Sequence, residues 1–273
     1  LKSIKVFEHE GAGSDTRRAM WADLKLPIEW INSVEAGSTK DSVEILTGWD
    51  SEDYLLRLKN VPREVLLIRH LDVIDHTGGK VWPRSLLSLA IRQIVLRSSR
   101  GLDLRAWALV TGTSPLSRAA LLSAFEVGYR MIRLVHADGE EAAAEKIRAD
   151  FEKFCFGLKI QPQKRAELTL QPNNGALLIN VEDLALDEDL LQTLLYLNFL
   201  HRPGLVLDFS SQPGSESALL REARLSDFET VSGFRVRTEW DFIFLQSLKL
   251  VPGLNAEEYH ARASEIRGTT AAE

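Results

Sequence analysis

Short extended runs of apolar residues alternate along this chain with stretches of helical periodicity, and from Leu104 onward the alternation is regular. Residues 106–111 (AWALVT) predict a buried strand. Residues 115–127 predict a helix with Ser114 as N-cap and proline at the first helical position, where its missing N–H has no partner to lose. A second strand is expected at 131–135 and an Ala-rich helix at 140–154. Extended pieces follow at 166–170 and 176–180, then a helix at 188–200 leading into an apolar strand at 204–209. A helix at 219–224, a short strand at 228–231 and a terminal helix at 238–250 complete the series, and the last dozen residues read as frayed. Strands separated by helices of this length imply a mostly parallel sheet.

The first 85 residues carry a weaker version of the pattern. Residues 3–8 predict a strand, followed by a Gly-rich turn at 11–16 and a short helix through Met20, Trp21 and Leu24. Residues 28–32, 43–46 and 65–69 are further strand candidates, with a weak helix at 50–58. A better helix spans 85–97, where Leu86, Leu87, Leu89, Ala90, Ile94 and Val95 recur at 3.6-residue spacing. The fold class that follows is α/β with two domains. A small α/β region (1–85) precedes a Rossmann-like region with a mostly parallel sheet (86–237), and a terminal helix and tail (238–273) return toward the first domain.

With 273 residues, 45% of them apolar, the chain can fill a sizeable core, which excludes a disordered polyelectrolyte. A net charge of −6 gives no general attraction to nucleic acid. Cys155 is the one cysteine, so an internal disulfide and a cysteine-based zinc site are both excluded, and burial between Phe154 and Phe156 is its expected state. No apolar run approaches the roughly 20 residues of a membrane helix, and the opening residues lack a secretory apolar core. A cytoplasmic protein that engages neither membrane nor nucleic acid is expected.

The candidate chemistry centres on Gly112. A glycine after a buried strand lets the chain turn tightly, and the helix beginning near Ser114 directs free amides and a positive dipole end at the space above it. That space suits a pyrophosphate, and Gly112, Thr113, Ser114, Ser117 and Arg118 are the candidate cofactor-binding positions. The pattern is Gly-Thr-Ser-Pro-Leu-Ser rather than Gly-x-Gly-x-x-Gly, so the two serine hydroxyls equally serve to cap and pack the helix around an empty site. After the second strand the chain reads Val-His-Ala-Asp-Gly. Asp138, and more weakly His136, are candidate acceptors for a ribose diol, and no adjacent Arg-Thr or Lys pair favours a 2′-phosphate.

Five segments in order, 60–65, 76–85, 110–119, 205–220 and 230–240, resemble the shikimate dehydrogenase family. The span from Asp208 through Pro213 to Leu219-Leu220-Arg-Glu-Ala, followed by the Val231-Ser-Gly233 turn, is similar in wording and spacing to that family's closing segment. The resemblance implies a substrate-binding α/β domain joined to an NADP-binding Rossmann domain, with the reaction in the cleft.

The positions that carry the family's chemistry differ here. Ser14 stands in roughly the matching turn of the carboxylate-gripping loop, without the paired-serine motif. Asn60-Val-Pro-Arg puts Arg63 near the place of the catalytic lysine, and a guanidinium stays protonated where a lysine can exchange a proton. The Asn-Thr-Asp-Gly stretch falls on Trp82-Pro-Arg-Ser85, the phosphate-gripping Asn-Arg-Thr on His136-Ala-Asp138, and the substrate-contacting glutamine on Trp240. The preferred reading from sequence is therefore a noncatalytic relative serving as a binding or protein-interaction module. It retains no cofactor and engages a protein partner, itself, or a small anionic ligand held near Ser14, Asn60, Arg63, Lys80, Arg84, Arg235 and Trp240. The alternative is an NAD- or NADP-dependent oxidoreductase acting on a small hydroxy or keto acid, with Asp138 on the cofactor and an unassigned proton donor; a shift of register would bring Asp72 or Asp75 into its cleft. The six histidines show no metal-ligand spacing, and the six tryptophans read as core or interface.

Overall fold

The computed structural model describes residues 4–8, 14–31, 42–46, 55–76, 80–97, 101–210 and 216–270. Residues 11–13 of the first glycine-rich turn, 3, 32 and 50–54 of predicted elements, and 77–79 and 211–215 of the family-like segments lie outside them. The chain divides into two compact units, Leu1–Leu87 with Arg237–Glu273, and Ser88–Val236.

The first unit begins with β1 (Ile4–Glu8), α1 (Ser14–Asp23), β2 (Ile28–Trp30) and β3 (Ser42–Ile45). Both β2 and β3 run parallel to β1, and α1 is the crossover between β1 and β2. The run at 65–69 is not a strand. It forms α2 (Arg63–Ile68), because Val65 and Ile68 share a helical face that is buried, with Leu71 and Ile74 beside Val65 in the same apolar cluster, while Leu66 points outward. The strand role passes to β4 (Val73–Asp75) and β5 (Trp82–Arg84), which pair antiparallel and close the sheet in the order β2-β1-β3-β4-β5. Then α3 (Leu87–Leu96) carries the chain into the second unit.

The second unit follows with β6 (Trp107–Thr111), α4 (Pro115–Val127), β7 (Met131–His136), α5 (Glu141–Phe154), β8 (Lys159–Lys164), β9 (Gly175–Asn180), α6 (Glu188–Leu195), β10 (Leu200–Asp208), α7 (Ala218–Leu225) and β11 (Glu229–Ser232). Its described strands are all parallel, in the order β11-β10-β9-β6-β7-β8, so the sequence of connections reverses between β6 and β9. Residues 166–170, expected to be extended, lie in a 3₁₀ helix, Arg165–Leu170, and the strand is the polar KIQPQK segment before it. An edge strand half open to water needs no apolar run, which is why periodicity misses it. Helix α6 stops at Leu195, short of the predicted Leu200, because Leu197 takes a left-handed backbone and Leu200 already pairs with Gly175. The face of the sheet under α6 and α7 holds Leu178, Val206, Leu190, Leu194, Leu219 and Phe199 in one apolar cluster.

The chain returns to the first unit within α8 (Gly233–Ser247) and ends in α9 (Ala256–Thr270). Of the expected frayed tail, the residues up to Thr270 are helical, and 271–273 lie outside the described residues. Tyr259 is fully buried and its hydroxyl accepts from Trp21 Nε1 at 2.9 Å, while Trp21 stacks on Trp30 and on Phe244 of α8. Cys155 is buried. No described helix is long and apolar enough to cross a membrane.

Candidate functional site

In open α/β sheets ligands bind outside the carboxyl ends of the strands, where the connections reverse. In the second unit that point lies between β6 and β9. Gly112 follows β6 with φ +79°, a backbone that only glycine adopts without strain. Ser114 then caps α4: its Oγ accepts from Ser117 N at 3.3 Å and Ser117 Oγ accepts from Ser114 N at 3.2 Å, a reciprocal capping box. Ser117 Oγ also donates to Thr111 O at 3.0 Å. The serine hydroxyls are thus engaged in shaping the turn.

Deeper along the same edge lies a satisfied polar network. Thr111 Oγ1 donates to Asn180 Oδ1 at 2.7 Å and accepts from Val181 N; Asn180 Nδ2 donates to Asp208 Oδ1 at 2.8 Å and to Glu182 O at 2.9 Å. Asp208, fully buried, also accepts from the hydroxyls of Ser210 and Ser217, the latter capping α7. This network ties the ends of β6, β9 and β10 together and fixes the backbone of Glu182 opposite Gly112. A methyl group on Gly112 would overlap Glu182 Oε1 and lie 2.8 Å from its Cδ. Burial pushes the Glu182 carboxyl above its ordinary range, with the Glu140 carboxylate adding to the rise. Glu182 escaped the sequence reading. The signal was present as the carboxylate two residues past the strand 175–180, but reading it requires knowing that this strand neighbours β6.

Asp138 is exposed beyond β7, with Lys164 Nζ 3.8 Å from it and 3.1 Å from Glu141 Oε1. His136 is buried and its Nδ1 lies 2.9 Å from Ala137 O. Arg118 turns to α5, pairing with Asp150 at 2.8 Å. Gly112, Thr113, Ser114 and Ser117 are therefore brought together at the turn, whereas His136 and Arg118 are engaged elsewhere.

The first unit has its own site at the carboxyl end of β3. There Asp72 is 4% exposed and accepts from Leu86 N, Leu87 N and, at 2.9 Å, Trp240 Nε1. These three donors occupy the carboxylate oxygens and commit Asp72 to holding the start of α3 and the Trp240 ring. His70 Nδ1 stands 3.0 Å from Ser85 Oγ and 3.8 Å from Asp72 Oδ2, and burial lowers its pKa against the opposing pull of Asp72. Arg17 lies over the Trp240 ring at 4.8 Å and pairs with Asp241.

The other positions singled out in the sequence are dispersed. Asn60, at φ +60°, and Lys80 line a cavity of about 670 Å3 with Arg57, Lys59 and Trp82, at the opposite end of β4 and β5 from Asp72. Arg63 opens α2, and Arg84 lies 3.4 Å from Asp75. Ser14 is the first residue of α1, and Arg235 lies in the second unit, its N–H donating to Ser232 Oγ. No group of three or more His, Cys, Asp and Glu side chains suited to a metal ion occurs among the described residues.

No protein-family model matches the chain, and no curated protein sequence matches it. Solved structures do. Shikimate 5-dehydrogenase from Thermus thermophilus, in complex with NADP(H) and shikimate, is 17% identical with a TM-score of 0.69 over 97% of this chain and 100% of that one. The Listeria monocytogenes shikimate 5-dehydrogenase, in complex with shikimate and NAD, is 12% identical with a TM-score of 0.72 over 99% and 96%. The ligand-free 5-ketofructose reductase of a Gluconobacter species is 14% identical with a TM-score of 0.71 over 97% and 99%. With a parallel sheet in one unit, a mixed sheet in the other and these likenesses along nearly its whole length, the chain has the two-domain shikimate dehydrogenase fold.

Proposed function

We propose that this protein is an NAD(P)-dependent oxidoreductase acting on a small hydroxy or keto compound. The observation that carries the reading is the Gly112 turn at the reversal point of an all-parallel sheet, in a fold whose solved examples include NAD and NADP complexes. The noncatalytic module preferred on sequence alone has less support, since the structural likenesses are to oxidoreductases.

The residues fit a dinucleotide in part. The missing side chain at Gly112 gives close backbone approach, and the exposed Asp138, with Lys164 Nζ 3.8 Å away, offers an acceptor for a ribose diol. The capping box and Glu182 compete for the same space. When bound, the dinucleotide supplies the hydride chemistry. Within the first unit, His70, whose pKa is lowered by burial and whose Nδ1 stands 3.0 Å from Ser85 Oγ, is the side chain suited to exchange a proton, because Asp72 is committed to its three donors.

Calorimetric titration with NAD(H) and NADP(H) tests the reading. Micromolar binding, tighter for NAD(H), is expected. No binding of either by an intact folded sample returns the noncatalytic module as the answer.

A further inference from the structure

Glu182 and Gly112 face each other across the reversal point, one beyond β9 and the other beyond β6. The Glu182 backbone is clamped through Asn180, which bonds its carbonyl and in turn rests on Thr111 and Asp208, so only the side chain can yield. Its carboxylate lies against the one residue of the turn that has no side chain, and no hydrogen bond or ion pair holds it among the described residues. The charged groups facing it are Glu140 ahead of α5, Asp187 at the start of α6, and Arg165 in the 3₁₀ helix. Arg165 is already paired with Asp187, so the surroundings are acidic on balance. A phosphate entering above Gly112 would meet a negative group at contact distance in a partly desolvated place, where like charges repel far more strongly than in water.

We propose that Glu182 sets the dinucleotide affinity of this site: its carboxylate stands in the place a pyrophosphate would take, and must be protonated or swung aside before the ligand seats. The proposal rests on the oxidoreductase reading and assigns its cofactor site a pH-dependent entry. Because Glu182 takes a proton more readily than an ordinary carboxylate, its obstruction is complete at alkaline pH and fades as pH falls through its raised pKa.

The test is calorimetric titration of NAD+ into the full chain, as wild type, Glu182→Gln, Glu182→Ala and the exposed control Glu188→Gln, at about pH 8 and about pH 5.5. At the higher pH both Glu182 variants are expected to bind about tenfold more tightly than wild type, as removal of one close like charge predicts. At the lower pH the gap narrows as wild type tightens, while Glu188→Gln follows wild type throughout. Equal or weaker binding by both Glu182 variants at the higher pH overturns this proposal alone. If none of the four proteins binds NAD+ at either pH while folded, the oxidoreductase reading falls with it.

Discussion

Single side chains decide what each edge of this protein can do. At Gly112 the positive φ and the overlapping Glu182 carboxylate act together, so Gly112→Ala is expected to lose about 1–3 kcal/mol in denaturant unfolding. Part of that loss should vanish in a Glu182→Ala background, where the steric share is gone. His70 contributes a pH dependence of its own. Burial holds its imidazole below the ordinary 6.5, so the unfolded chain binds that proton more readily than the folded one. The stability it contributes is complete above about pH 6.5 and is lost as pH falls through the lower folded value. The denaturation midpoint should therefore drop between about pH 7.5 and about pH 5, and Glu or Asp titration apart, the drop should be smaller in His70→Gln. Candidate residues such as Gly112, Ser114 and Asp138 were legible in the sequence, because a turn after a buried strand announces itself locally. The surroundings of Glu182, Asp72 and His70 were not, since each depends on a neighbour far away in the chain.

Elements were legible where local and tertiary preferences agree. Helix α4 carries its own N-cap, proline and apolar face, and its bounds match the sequence reading at 115–127. Ser114→Ala should cost about 0.5–2 kcal/mol, measurable by thermal unfolding, with a smaller loss for Ser114→Gly. The misread elements are those where the environment overrides the pattern. Residues 65–69 alone satisfy a strand or a helix; the burial of Val65 and Ile68 beneath an exposed Leu66 selects the helix. Strand β8 is polar because it pairs along one side only, with β7, and so lacked the apolar signature of β9.

At the scale of the whole molecule, the C-terminal segment completes the first unit. Trp21 is enclosed by Trp30, Phe244 and Tyr259, residues drawn from both ends of the chain. Tyr259→Ala should cost about 3–5 kcal/mol and remove hydrogen-exchange protection from β1, α1 and α9 first, while β6, β9 and β10 keep theirs. Uniform loss of protection in both units would count against this division.

By itself the sequence determined the alternation of strands and helices after Leu104 except at β8 and residues 166–170, together with the Gly112 turn and the α/β class, because those follow from periodicity and turn chemistry within a dozen residues. Only the tertiary structure decided that Asp72 is tied up by Trp240 and the start of α3, that the ends of the chain share one core, and that a carboxylate from just beyond β9 leans over the turn after β6. Those facts depend on which strands become neighbours, and neighbours in space are set by burial of the whole chain rather than by any local stretch of it.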